Sequence, residues 1–131
     1  MLASNSMQEL TINLHMHTRF SDGHVTHDEI AQAALAAGID VVIVTDHNVW
    51  VNGPEKHYKD GDKRVLLLVG EEIHDQTREP QKNHMLVFGA GRELSTLAYD
   101  PNRLIDGVRQ AGGLAFIAHP VDPPSKTFGE P

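Results

Sequence analysis

The chain has 131 residues, no cysteine, and a formal net charge of −7 with its nine histidines neutral. That length fits one domain with a real core. The missing cysteines exclude disulfides and thiolate metal sites, and 18 acidic against 11 basic residues without a basic stripe argue against a nucleic-acid partner.

Residues 1–8 are small and polar, with neither a basic start nor an apolar signal core, and read as a disordered leader to a cytoplasmic protein. No apolar run approaches the ~20 residues of a membrane span, so no membrane partner is expected. Leu10 to Leu14 is a predicted strand. Thr26 and Glu29 have the spacing of a capping box, and Ile30, Ala33, Ala34 and Ala37 follow at helical spacing until Gly38. Val41 to Val44 is a continuous β-branched run, typical of a strand buried on both faces. The polar stretch from Asn48 to Asp62 reads as a loop with a short helix from Pro54. Val65 to Val69 and Met85 to Phe88 are further strands. Asp100-Pro101 is an N-cap followed by proline at the first helical position, and Leu104, Ile105, Val108 and Ala111 form the apolar face behind it. Leu114 to Ala118 is the last buried strand, and residues 120–131 read as loop.

Strands alternating with helices, with fully apolar strands, point to a parallel sheet with helices outside. Helix, glycine, apolar strand and histidine occur in that order twice, ending once at His47 and once at His119. Polar residues collected past the C-terminal ends of such strands are where α/β barrels place their sites. His15 and His17 are two apart, so an extended chain points both imidazoles to one side. Together with Asp22, His47, Glu72, His84 and His119 they form a nitrogen and oxygen set suited to zinc, manganese or iron, and large enough for more than one ion. A carboxylate can offer one oxygen to each of two ions, and Glu72 is assigned that role. His24, His27 and His57 are read as surface scatter. His74 lies two residues past Glu72 on the same strand face, but no motif claims it. Trp50 is read as an exposed loop aromatic, and Arg19 and Lys56 as candidate phosphate contacts.

His15-Met16-His17-Thr18 with Ser21-Asp22-Gly23, then Val44-Thr45-Asp46-His47, Gly70-Glu71-Glu72-Ile73, the strand opening at His84, and Ile117-Ala118-His119-Pro120 follow one another along the chain. In that order they resemble the motifs of the PHP (polymerase and histidinol phosphatase) superfamily. The resemblance implies a distorted (β/α)7-type barrel and two or three divalent ions (Zn, Mn or Fe). It also implies His15, His17 and the bridging Glu72 on one metal, His119 on the second, and Asp22 and His47 on a third, with His84 matching a histidine that opens a later strand in amidohydrolase-like members. Glu71 is the variable position of the G-x-E motif, and Asp46 supports its neighbours rather than a metal. The late D-x-H motif of that family does not follow His119. The residues therefore resemble the N-terminal part of the domain, spanning 9–131, and a partial barrel. A further chain segment or a second copy of the chain in a homo-oligomer is expected to complete it.

The resemblance implies a metal-dependent hydrolase, first a phosphoesterase acting on a small phosphorylated substrate through a metal-bridging hydroxide. Glu72 and His119 are its expected catalytic residues. Hydrolysis of a carboxylic or carbamic ester or an amide is the alternative chemistry, and a non-catalytic metal-binding or regulatory module is the alternative class.

Overall fold

The computed structural model describes residues 7–79 and 84–120. Its elements are β1 (Ile12–Asn13), α1 (His27–Ala37), β2 (Val41–Val44), β3 (Lys56–Asp60), β4 (Lys63–Ile73), β5 (Met85–Phe88), α2 (Pro101–Gln110) and β6 (Leu114–Ile117). A short 3-10 turn, Ser95–Leu97, precedes α2. The expected tail from residue 121 and most of the expected leader lie outside the described residues.

The architecture is mixed α/β. Six strands form one sheet in the order β1-β2-β4-β5-β6, with β3 pairing β4 off that path. β1, β2 and β4 run parallel, with Val42 opposite Leu67 and Val44 opposite Val69. β5 is antiparallel to β4 and to β6. The expectation of an all-parallel sheet is therefore corrected. Only residues 74–84 separate β4 from β5, too few for a crossover helix, so the chain returns antiparallel.

β3 replaces the expected loop and Pro54 helix. Lys56–Asp60 folds back on β4 through the turn at Gly61, where φ is +57°. Its alternation supports this, because Tyr58 is buried while its neighbours on both sides are exposed.

Two apolar clusters carry the sheet. Ile30, Ala31, Ala34 and Leu35 of α1 pack on Val42, Val44, Val65 and Leu67. The helix thus buries a face rotated from the expected one, because Ile30 and Leu35 are its two large apolar side chains and burying both turns Ala33 and Ala37 outward. The capping box forms as expected, with Thr26 Oγ1 accepting from the Glu29 N–H and Glu29 accepting from the Thr26 N–H. Gly38, at φ +72°, closes the helix in the left-handed region. Under α2, Leu104 and Val108 meet Ile73, Met85 and Val87. Ile105 of the expected face is instead exposed.

β6 also differs from expectation. Leu114 is 62 % and Ile117 69 % exposed, because β6 ends the sheet and of its residues Ala115 packs against the α2 cluster. Trp50 is partly buried against the α1 cluster rather than exposed, and His27 is buried rather than surface scatter. Among the described residues, no helix is long and apolar enough to cross a membrane.

This topology decides where the polar side chains meet. The C-terminal ends of β2, β4 and β6 point one way, and antiparallel β5 begins at that same end. His47 and Glu72 form a parallel bridge beyond β2, with the Asn48 N–H donating to Glu72 O and the Glu72 N–H to Asp46 O. The Ala118 N–H donates to His84 O, so His119 leaves β6 beside His84.

Candidate metal centre

Glu72 stands in the middle, 1 % exposed. Its two oxygens face different histidines. Oε2 lies 2.7 Å from His15 Nε2 and 3.1 Å from His17 Nε2. Oε1 lies 2.9 Å from both His84 Nδ1 and His119 Nε2. His47 Nε2 stands 3.7 Å from Oε2, and Asp22 closes the rim at 3.6 Å from His47 Nε2 and from His17 Nδ1. All seven residues singled out in the sequence are thus brought together. They form overlapping groups of potential ligand atoms: His15, His17 and Glu72; Glu72, His84 and His119; His17, Asp22 and His47.

Ring orientation separates these groups. An imidazole lone pair lies in the ring plane, so two rings serving one ion must have planes that converge on it. His15 and His17 meet edge-on at 64°, and His84 and His119 at 66°. His17 and His47 are stacked, 4.5 Å apart and 16° from parallel, so their lone pairs do not converge. That geometry fits His15 with His17 on one ion, His84 with His119 on another, and His47 elsewhere.

The donor set itself fits divalent cations. Histidine N–H groups that donate to Glu72 crowd one carboxylate, while His15 Nε2 and His17 Nε2 face each other at 3.1 Å. Buried His17 Nδ1 and His47 Nδ1 have no hydrogen-bond partner among the described residues. The Nε2 atoms crowded against Glu72 and each other are the ones placed to give lone pairs to a cation.

The electrostatics favour the same ligand forms. Burial opposes ionisation of Glu72, but hydrogen bonds from His15, His84 and His119 outweigh it and hold the carboxyl at about 2. Burial, then the neighbouring His47, lowers His17 against the pull of Asp22 and Glu72. An ionised carboxylate and a neutral imidazole are the forms that bind a metal.

The supporting shell is built from the same motifs. Asp46 is buried and accepts from the Thr18 N–H and Ser21 Oγ through Oδ1, and from Thr18 Oγ1 through Oδ2, each at 2.7 Å. It therefore fixes the turn that carries Asp22. Gly23 is required there, since a Cβ would sit 2.3 Å from His17 O. Glu71 points away from the centre, as its variable motif position implies. Its Oε2 accepts from the Leu94 N–H at 3.1 Å. Burial first, and the adjacent Glu93 carboxylate second, push Glu71 up to about 9. Burial opposes ionisation of Glu93 as well, but the neighbouring Glu71 carboxyl and hydrogen bonds from the Ser95 and Trp50 N–H groups hold it at about 2.

Arg19 and Lys56 do not join the centre. They line a separate hollow with His27, and Lys56 Nζ lies 3.7 Å from Asp28. The residue passed over in the sequence is His74, buried beside His84 and His47 at ring distances of 4.4 and 5.0 Å. The period-two spacing that paired His15 with His17 also pairs Glu72 with His74 and was the available signal.

The fold is a mixed α/β sheet that gathers imidazoles and carboxylates at one end around a buried glutamate, in groups that could hold divalent metal. A family model described as the PHP domain matches residues 13–107, and the chain belongs to that family. It is also similar to an uncharacterized protein of Methanocaldococcus jannaschii, 28 % identical over 129 residues, which cover 90 % of this chain and 72 % of that relative.

Proposed function

We propose that the protein is a divalent-metal-dependent hydrolase acting on a small phosphorylated substrate. Glu72 carries this reading, because each of its oxygens is met by a different edge-on pair of histidines. His15 and His17 with Glu72 Oε2 would hold one ion, His84 and His119 with Oε1 a second, and Asp22 with His47 a third. When bound, such ions supply a water activated at neutral pH and positive charge for a substrate's developing negative charge.

The chain's own residues prepare this. The low value of Glu72 keeps it ionised across the working range. The Asp46 hydrogen bonds hold the Asp22 turn in place before substrate arrives. His119 is the most open of the Glu72-bound histidines, with 40 % of its side chain exposed. It also has a positive φ of 29°, a conformation that costs energy in a non-glycine residue. Exposure and strain together favour His119 as the histidine on the open side of the centre, where a substrate would approach.

Hydrolysis of a carboxylic or carbamic ester is the second reading. It is favoured by the hollow beside His74, where no Lys or Arg is among the lining residues.

The test is hydrolysis by zinc- or manganese-loaded protein of a panel of phosphomonoesters and of p-nitrophenyl acetate. Phosphomonoester turnover that chelator and Glu72→Gln both abolish is expected. Metal-loaded protein that cleaves only the carboxylic ester would overturn the phosphoesterase reading in favour of the second.

A further inference from the structure

A hollow of about 300 Å³ opens beside the metal centre, lined by Asn48, His74, Asp75, Ser95, Thr96 and Tyr99 among others. His74 belongs to both places. Its ring packs on His84 and His47, and it walls the hollow.

Asn48 fixes how that ring presents itself. Asn48 Oδ1 accepts from the His74 backbone N–H at 3.0 Å, which settles the orientation of the amide. Nδ2 then faces His74 Nδ1 at 3.5 Å and donates to it. A nitrogen that accepts carries no proton, so the ring proton sits on Nε2. Nε2 has no hydrogen-bond acceptor among the described residues. Asn48 itself is held at φ +52°, with its N–H on Glu72 O at 3.1 Å. Backbone strain of this kind persists where the surroundings impose it. Here it places the amide that orients His74.

His74 forms a group of potential ligand atoms with His84 and with His47, which it meets edge-on at 87°, but with Nδ1 accepting from Asn48 its protonated Nε2 has no lone pair to offer an ion. A fixed N–H donor is the role left to it. The hollow it faces has a mixed polar and apolar lining with no Lys or Arg among its residues. Ser95, Thr96 and Tyr99 offer hydroxyls, and Asp75 adds a carboxylate. A second phosphate or a carboxylate would meet Asp75 without compensation, whereas an uncharged hydroxylated group finds donors and acceptors.

We propose that this hollow receives the alcohol half of the substrate, an uncharged polyol or sugar-like group, with His74 Nε2–H donating to one of its oxygens. The inference rests on the hydrolase reading above, since it places the leaving group beside the ions that hold the scissile group.

Two measurements on the metal-loaded chain test it. The first compares glycerol 1-phosphate with phenyl phosphate in wild type, His74→Phe and Ser95→Leu. A several-fold fall in the glycerol-to-phenyl ratio of kcat/KM in both variants is expected, and an unchanged ratio overturns the proposal. The second follows glycerol alone by NMR. Shifts of the Asn48 side-chain amide and the His74 ring in wild type, lost in Ser95→Leu, are expected. Absent shifts, or shifts that persist in Ser95→Leu, overturn the proposal. Turnover of neither ester with the glycerol shifts intact sinks the phosphoesterase reading and leaves the alcohol subsite standing.

Discussion

Asp46 grips Thr18 with both carboxylate oxygens, taking the backbone N–H on Oδ1 and the hydroxyl on Oδ2, each at 2.7 Å. This contact joins the end of β2 to the segment after His17, where Asp22 comes within 3.6 Å of His47 Nε2. Asp46→Ala removes it without touching a proposed ligand. Supporting residues of this kind are typically worth about 10–100-fold in metal affinity. Competition with a chromophoric chelator is expected to show such a loss for the weakest-bound ion, with the other ions retained.

Gly23 makes a sharper test of the same turn. Its added Cβ would collide with His17 O, a backbone atom that cannot swing away as a side chain would. Gly23→Ala is expected to cost about 1–3 kcal/mol, the usual range for forced overpacking. Urea denaturation should read that loss, and metal content should fall with it because His17 and Asp22 flank the clash.

Thr26→Ala is the matching control. It breaks the capping box of α1, whose loss typically costs about 1 kcal/mol. The urea midpoint should drop while metal stoichiometry stays that of wild type.

The Glu71–Glu93 pair sets a pH dependence that the metal-free protein should show. Glu71 is raised to about 9, so between about 4.5 and 9 the folded state holds a proton that the unfolded chain has released. Its contribution is full below 4.5 and is lost as pH rises towards 9. Glu93 is lowered to about 2, so its contribution is present above 4.5 and is lost as pH falls towards 2. The pair is therefore most stabilising near 4.5. One proton changes stability by at most about 1.4 kcal/mol per pH unit. Urea titrations of Glu71→Gln against wild type, both in chelator, should show the variant gaining stability relative to wild type from pH 5 to pH 9, since glutamine has no proton to lose. A difference that does not change with pH would contradict the raised Glu71.

The motif residues were legible because their chemistry is local. A pair such as His15 and His17 reads from spacing alone, and so does a cap such as Thr26 with Glu29. What the sequence hid depends on long-range pairing. β3 reads as loop because Lys56–Asp60 is polar on most positions, and only its register against β4 makes it a strand. The direction of β5 is invisible in its four apolar residues, although it decides that His84 opens into the centre. Leu114 to Ile117 has the composition of a buried strand and yet lies at the sheet edge. The role of His74 depends on Asn48, 26 residues away, and no motif spans that distance.

Elemental analysis of the purified chain, beside His15→Ala/His17→Ala, His84→Ala/His119→Ala and Glu72→Gln, tests most directly whether Glu72 bridges two ions. Two or more equivalents of zinc, manganese or iron are expected in wild type. Each double variant should lose one equivalent and Glu72→Gln should lose both bridged ions. Less than one equivalent in wild type, or full occupancy in Glu72→Gln, would contradict the bridge.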